Sequence, residues 1–286
     1  MRVSNLWWLL AGLGLLLGGC PKNVPPPTDE VTDAAELLEA INGATTSIDD
    51  ARMLDVRLDY FGQQGRASIK QLILLQHPDR LRIQTYIPGM EGVAGVLVCA
   101  CGKFAFHDRQ EDVYYHGPAT TENIARVMPV GLNCKDLAHV LLGGAPHDRL
   151  GSMGVEPSIQ WDRTEGGYLL DWQGASGEDS RARVWVRHGD WRVTKMTTWT
   201  ADGETRYDYE AEKFAKMGEI ILPGRRRFVV KSTGEDFSLT QGETQVNPEL
   251  DEVLFQLAPP AGSPVRYIGP QSSPPPPPVD GDLCGG

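Results

Sequence analysis

The chain has 286 residues, with 27 Lys and Arg against 38 Asp and Glu, a formal charge of −11. That balance excludes nucleic acid as a partner, because phosphate recognition rewards clustered basic side chains. It also excludes attachment to anionic headgroups by charge alone. Arg2 opens the chain, and Leu6 to Leu17 form an unbroken run of apolar residues and glycine. Twelve such residues are too few to span a bilayer, so the run reads as a cleaved export signal rather than a transmembrane helix.

The run closes on Leu17-Gly18-Gly19-Cys20. This ending resembles the lipobox of bacterial lipoproteins, in which small residues precede a cysteine that is diacylglycerol-modified and then N-acylated. The resemblance implies a signal peptide over residues 1–19 and a membrane partner reached through lipidated Cys20. One acyl chain binds a membrane marginally and two bind stably, so a triacylated Cys20 implies firm anchoring. Pro21 is not the aspartate that marks inner-membrane retention in enteric bacteria, so the expected location is the bacterial envelope, at the outer membrane facing the periplasm. Loss of residues 1–19 leaves 26 basic against 38 acidic residues and a charge of −12.

Residues 20–30, with Pro25, Pro26 and Pro27, read as a short stiff tether that lifts a domain off the bilayer. Residues 31–258 are long enough for one core. Residues 259–286, with Pro259, Pro260, Pro264, Pro270 and the run Pro274 to Pro278, read as a disordered proline-rich tail. Cys99, Cys101, Cys134 and Cys284 remain beside the anchor, and an oxidising compartment allows three connectivities. Cys99 and Cys101 lie two apart on one face of an expected strand, a poor geometry for bonding each other. A disulfide of Cys134 with Cys99 or Cys101 is the expected pairing. Their spacing does not fit a zinc site, and no metal is expected.

Within the domain, Ala34, Leu37, Leu38 and Ile41 recur at helical spacing behind the capping candidates Thr32 and Asp33, predicting a helix over 31–41 that runs on toward Ile48. From Arg52 the period becomes two. Leu54, Val56, Leu58 and Tyr60 predict one strand and Ala67 to Leu75 a second. After a turn at His77-Pro78-Asp79, Leu81, Ile83, Thr85 and Ile87 predict a third. Val96, Val98, Ala100, Phe104 and Phe106 continue the pattern to His107-Asp108, giving an antiparallel meander. Residues 119–145 turn helical, with short helices expected over Thr120–Val127 and Cys134–Leu142 and a stop at Gly143-Gly144. Further strands are predicted over 156–161, 167–173, 181–188, 190–200, 204–212, 219–231, 235–246 and 252–257. The fold class is therefore mainly β (α+β), an incomplete antiparallel barrel of about eleven strands whose concave face is covered by the N-terminal and inserted helices. Ile83, Ile87, Val98, Phe104, Phe106, Phe228 and Val230 are the residues expected to point into its interior.

This order of elements resembles the LolA/LolB superfamily of periplasmic lipoprotein carriers and receptors. The resemblance rests on Pro78-Asp79-Arg80-Leu81-Arg82-Ile83, on Ile87-Pro88-Gly89-Met90-Glu91-Gly92, on Leu137 to Gly144, on Ile221 to Arg227, and on Asn247-Pro248-Glu249-Leu250-Asp251 to Phe255. It covers most of residues 31–258 and implies a half-open barrel with a hydrophobic cavity for acyl chains. It also implies that Pro88, Gly89, Met90 and Gly92 form a membrane- or cargo-contacting loop with Met90 as its apolar tip. The implied partners are acylated cargo or lipid and a periplasmic lipoprotein carrier. The extra cysteines, the proline-rich tail and the larger second half depart from the receptor pattern. They leave an envelope sensor or assembly scaffold that binds a protein partner as the alternative.

No nucleophile elbow, phosphate-binding loop, zinc-protease helix or dinucleotide fingerprint occurs, so neither an enzyme nor a cofactor is expected. His107-Asp108-Arg109 and His147-Asp148-Arg149 read as surface turns, since neighbouring strand residues point to opposite faces. Arg225-Arg226-Arg227 reads as a solvated strand start. Trp161, Trp172, Trp185, Trp191 and Trp199 read as core or cross-strand pairs rather than sugar platforms.

Overall fold

The first helix begins where the sequence places a cap. Asp33 accepts hydrogen bonds from the backbone N–H groups of Ala35 and Glu36 at 2.7 and 3.4 Å, and α1 runs Ala34–Thr46. Leu37 and Ile41 bury one face of it against the sheet. The computed structural model describes residues 23–284 apart from 64, 90, 91, 129, 175–178 and 271–280. The expectations for Cys20, Met90 and the Pro274–Pro278 run lie outside the described residues.

The meander comprises β1 (Asp50–Gly62), β2 (Gly65–Gln76), β3 (Arg80–Tyr86), β4 (Gly95–Ala100), β5 (Lys103–Asp108) and β6 (Val113–Pro118). The inserted helices are α2 (Thr121–Ile124), α3 (Cys134–Leu141) and α4 (His147–Gly151). There follow β7 (Ser158–Asp162), β8 (Gly167–Gln173), β9 (Arg181–Val186), β10 (Val193–Trp199) and β11 (Thr205–Glu212). The last strands are β12 (Ala215–Met217), β13 (Ile220–Leu222), β14 (Arg225–Val230), β15 (Glu235–Thr240), β16 (Thr244–Val246) and β17 (Val265–Tyr267). All but β12 and β13 join one 15-stranded sheet in the order β17-β6-β5-β4-β3-β2-β1-β15-β14-β11-β10-β9-β8-β7, with β16 also on β1. Its pairings are antiparallel except β17 on β6. β17 and β7 end the sheet without pairing each other, so the barrel is incomplete.

Several boundaries differ from expectation for identifiable reasons. The expected 219–231 strand breaks at Pro223-Gly224, which separates the β12–β13 hairpin from β14. The expected 235–246 strand is two strands, both paired with β1. Residues 252–257 are not a strand but a 3₁₀ turn, Glu252–Phe255, capped by Asp251. β6 is a further strand beyond those expected, paired antiparallel with β5 and ending at Pro118. Asp55 at φ 51° marks a bulge in β1 between Met53 and Val56, where the register with β2 shifts.

Both faces of the meander are covered. On the concave face α1 and α3 pack over a core that includes Ile73, Leu97, Phe104, Tyr209 and Phe228. On the convex face Leu74, Val96, Val98, Ala105 and Tyr114 meet Leu250, Phe255 and Leu283. Every residue of β4 is buried, as expected of an apolar run covered on two sides. Part of the supposed disordered tail is thus ordered: β17 extends the sheet and Cys284 bonds Cys101, while Cys134 bonds Cys99. Cys101 does not share the face of Cys99. It lies in the β4–β5 turn at φ 51°, exposed, whereas Cys99 faces the concave core.

The tether does not lift free either. Val24 donates its N–H to the Arg163 carbonyl at 2.9 Å and accepts from Trp161 Nε1 at 3.0 Å. Asp29 lies 3.5 Å from His188, and the Val31 N–H reaches the Tyr168 hydroxyl at 3.0 Å.

Candidate functional site: an apolar cavity under the inserted helices

Strand register builds the cavity wall in rows. Ile73, Ile83, Leu97 and Phe106 are direct partners across β2, β3, β4 and β5. Two residues nearer the rim, Gln71, Thr85, Gly95 and Asp108 form the next row. β1 and β15 add Leu58 opposite Leu239, and β14 and β15 add Phe228 opposite Phe237. Val127, Met128, Val130, Leu137 and Leu141 roof the space from the inserted helical segment. The cavity volume is about 280 Å³. Its lining is apolar apart from the Gln71–Thr85 pair, joined at 3.3 Å, and Asp108 and Gln110 at the mouth. The Asp108 carboxylate accepts from the N–H groups of Gln110 and Glu111 at 2.9 and 3.2 Å, which fixes the mouth turn.

Of the residues the sequence nominated, Ile83, Ile87, Phe106 and Phe228 line this cavity. Phe104 faces the same side but is fully buried in the core beyond it. Val230 packs at the margin of that core. Val98 is a correction: it lies on the convex face, in the second core. Register explains this, because the Cys101-Gly102 turn sets Phe106 opposite Leu97 and Val98 opposite Ala105. Alternation along a continuously apolar strand cannot reveal which parity faces inward. Leu58, Ile69, Ile73, Leu97, Phe237 and Leu239 also line the cavity and were not nominated; Ile73 and Leu97 lie in unbroken apolar runs that hide their parity.

Pro88, Gly89 and Gly92 are exposed beside the mouth, where Ile87 and Ala94 line the cavity. Gly89 and Gly92 adopt φ of 83° and 80°, the left-handed region that favours glycine. This loop therefore borders the opening, with Met90 outside the described residues.

The roof is fastened from below by polar groups. Tyr209 donates its hydroxyl to the Val140 carbonyl at 3.3 Å, and Arg192 donates to the Leu142 carbonyl at 3.1 Å. Burial pushes the Tyr209 phenol up to about 12, so it stays a donor. Arg226, on β14 two residues before Phe228, is fully buried, and its guanidinium bonds the Gln241 amide oxygen through both Nη atoms at 3.2 Å. Burial pushes its guanidinium down to about 10. The reading of 225–227 as a solvated strand start therefore fails at Arg226, which points inward between outward Arg225 and Arg227.

A second, polar group lies at the α3–α4 junction. Asp136 accepts from the backbone N–H groups of Asp148 and Arg149, each at 2.9 Å. Burial overrides those bonds and pushes its carboxyl up to about 6. Arg149 pairs with Asp179 through two nitrogens at 2.7 and 3.0 Å. The His147-Asp148-Arg149 triplet is thus the start of α4 and part of this brace rather than a surface turn. Among the described residues, no group of three His, Cys, Asp or Glu side chains is placed to hold a metal ion.

No family model and no curated protein matches the sequence. Solved structures do match. A DUF1329 family protein from Desulfovibrio piger superposes with a TM-score of 0.57 at 10 % identity, over 78 % of this chain and 95 % of that one. A putative outer membrane lipoprotein-sorting protein domain from Vibrio parahaemolyticus gives 0.57 at 9 % identity, over 78 % and 97 %. A LolA superfamily protein from Nitrosomonas europaea gives 0.52 at 12 % identity, over 80 % and 99 %. The fold is LolA/LolB-like, an open, mainly antiparallel sheet with helices over its concave face. At these identities the likeness is one of fold alone.

Proposed function

We propose that this protein is a membrane-anchored lipoprotein of the bacterial envelope that binds acyl chains, or cargo carrying them, in the cavity between the meander and the inserted helices. The observation that carries this reading is the cavity itself. It is lined by aliphatic and aromatic side chains from β1 to β5, β14 and β15 and roofed by Val127 to Leu141, with its polar groups gathered toward the rim. Support comes from a fold like that of a lipoprotein-sorting domain and a LolA superfamily protein, and from the lipobox-like ending at Cys20. Burying methylenes yields about 0.8 kcal/mol each, so a dozen supply roughly 10 kcal/mol before the costs of ordering. Transfer on such a site needs no covalent step, only a higher affinity than the donor's.

The test is titration of residues 21–286 with a fluorescent fatty-acyl probe, alongside native mass spectrometry for retained lipid. Saturable uptake that Leu58→Trp abolishes by filling the cavity supports the proposal. Absence of both lipid and uptake refutes it and leaves an anchored scaffold for a protein partner.

A further inference from the structure

The docked tether fixes which end of the half-barrel meets the membrane. Val24 is held at the β7–β8 hairpin, by Arg163 in the turn and by Trp161 near the end of β7, and its side chain packs beside Gly166. Asp29 lies 3.5 Å from His188 in the β9–β10 turn. Both turns lie on one rim, at the N-terminal end of β8. Eight antiparallel pairings lead from β3 to β8 through β2, β1, β15, β14, β11, β10 and β9. An even number of reversals makes β3 and β8 run in the same sense. The C-terminal end of β3, where Ile87 and the Pro88–Ala94 loop border the cavity, therefore belongs to the opposite rim. Asp108 and Gln110, at the end of β5, lie on that rim as well.

Chain length makes the separation decisive. Four residues lead from Cys20 to Val24, a reach of at most about 14 Å when fully extended. β8 and β3 each have seven residues, so the rims stand about 23 Å apart. An anchor at Cys20 cannot swing to the cavity mouth while Val24 stays docked.

We propose that the rim formed by Arg163–Gly166 and Arg187–Asp190 rests against the bilayer that holds Cys20, and that the cavity mouth with its Pro88–Ala94 loop faces away from it. Acylated cargo then reaches the cavity from the aqueous side, and the loop meets a donor protein rather than the anchoring membrane. This inference rests on the acyl-binding reading and on acylation of Cys20.

The experiment uses the full-length acylated protein in phosphatidylcholine vesicles doped with a nitroxide-headgroup phosphatidylcholine. The four cysteines other than Cys20 are paired in two disulfides, so one introduced cysteine takes one fluorophore. Thr164→Cys reports the tether rim and Glu111→Cys the mouth rim; both positions are exposed. Strong quenching at position 164 and none at 111 is expected. Equal quenching, the reverse pattern, or none at either position overturns the proposal. Titrating the same samples with the acyl probe separates the two claims. Uptake with a reversed pattern defeats only the orientation, whereas the expected pattern without uptake defeats only the acyl-binding reading.

Discussion

His139 and Asp136 give the inserted helix α3 two opposed responses to acid. His139 is buried, with Nδ1 3.4 Å from the Thr45 hydroxyl and its ring 5.0 Å from that of His147. Burial, reinforced by His147, Lys135 and His77 and opposed by Asp148, lowers its pKa from 6.5 to about 4. A base with a depressed native pKa is neutral when folded, so stability is lost as pH falls from the unfolded value through the native one. Charging native His139 costs about 3 kcal/mol more than charging it in the unfolded chain, of which about 2 kcal/mol falls between pH 7 and pH 5. Asp136 runs the other way. Its native pKa is raised from 3.8 to about 6, so ionisation above that value destabilises the fold and protonation relieves it. Acidification from pH 7 to pH 5 returns about 1 kcal/mol from this group. Denaturant unfolding at the two pH values, with disulfides intact, reads the balance. His139→Gln should reduce the stability lost on acidification by about 2 kcal/mol relative to wild type, and Asp136→Asn should increase it by about 1 kcal/mol. A His139→Gln protein that loses stability as steeply as wild type between these pH values would refute the assignment.

Two further outcomes follow from the braces around the core. Asp179 is buried with Arg149, so Asp179→Ala strands a guanidinium and should cost about 3–5 kcal/mol in unfolding free energy, measured by urea titration. Cys101–Cys284 closes a loop of 183 residues, and the chain-entropy model assigns such a bridge up to about 5 kcal/mol. Cys101→Ser with Cys284→Ser should lower the unfolding midpoint and speed hydrogen exchange in β17 and around Leu283. If exchange there is unchanged, the disulfide is not what holds the tail.

The meander, α1 and the helical insert were legible because each is a local pattern: period two from Leu54 to Phe106, period near 3.6 from Ala34 to Ile41, and a cap at Asp33. The open, mainly β architecture followed from stringing those patterns together. What stayed hidden was non-local. Trp161 is the cross-strand partner of Tyr168, as its reading implies, but that its indole also holds Val24 was not legible. Arg226 lies in a triplet of arginines, yet only pairing with β11 and β15 turns it inward while Arg225 and Arg227 face out. Sequence alternation also could not choose between Leu97 and Val98, since both faces of β4 are covered.

By itself the sequence determined the acidic balance, the strand-rich class and the supply of apolar residues for a cavity, because these depend on composition and short periods. Tertiary structure decided which parity of each strand faces the cavity, that Cys284 rather than Cys134 pairs with Cys101, and that tether and tail pack onto the domain. The docking of tether and tail depends on contacts between residues more than a hundred positions apart, such as Val24 with Arg163 and Cys101 with Cys284, and strand parity depends on which faces of the sheet are covered; no local pattern encodes either.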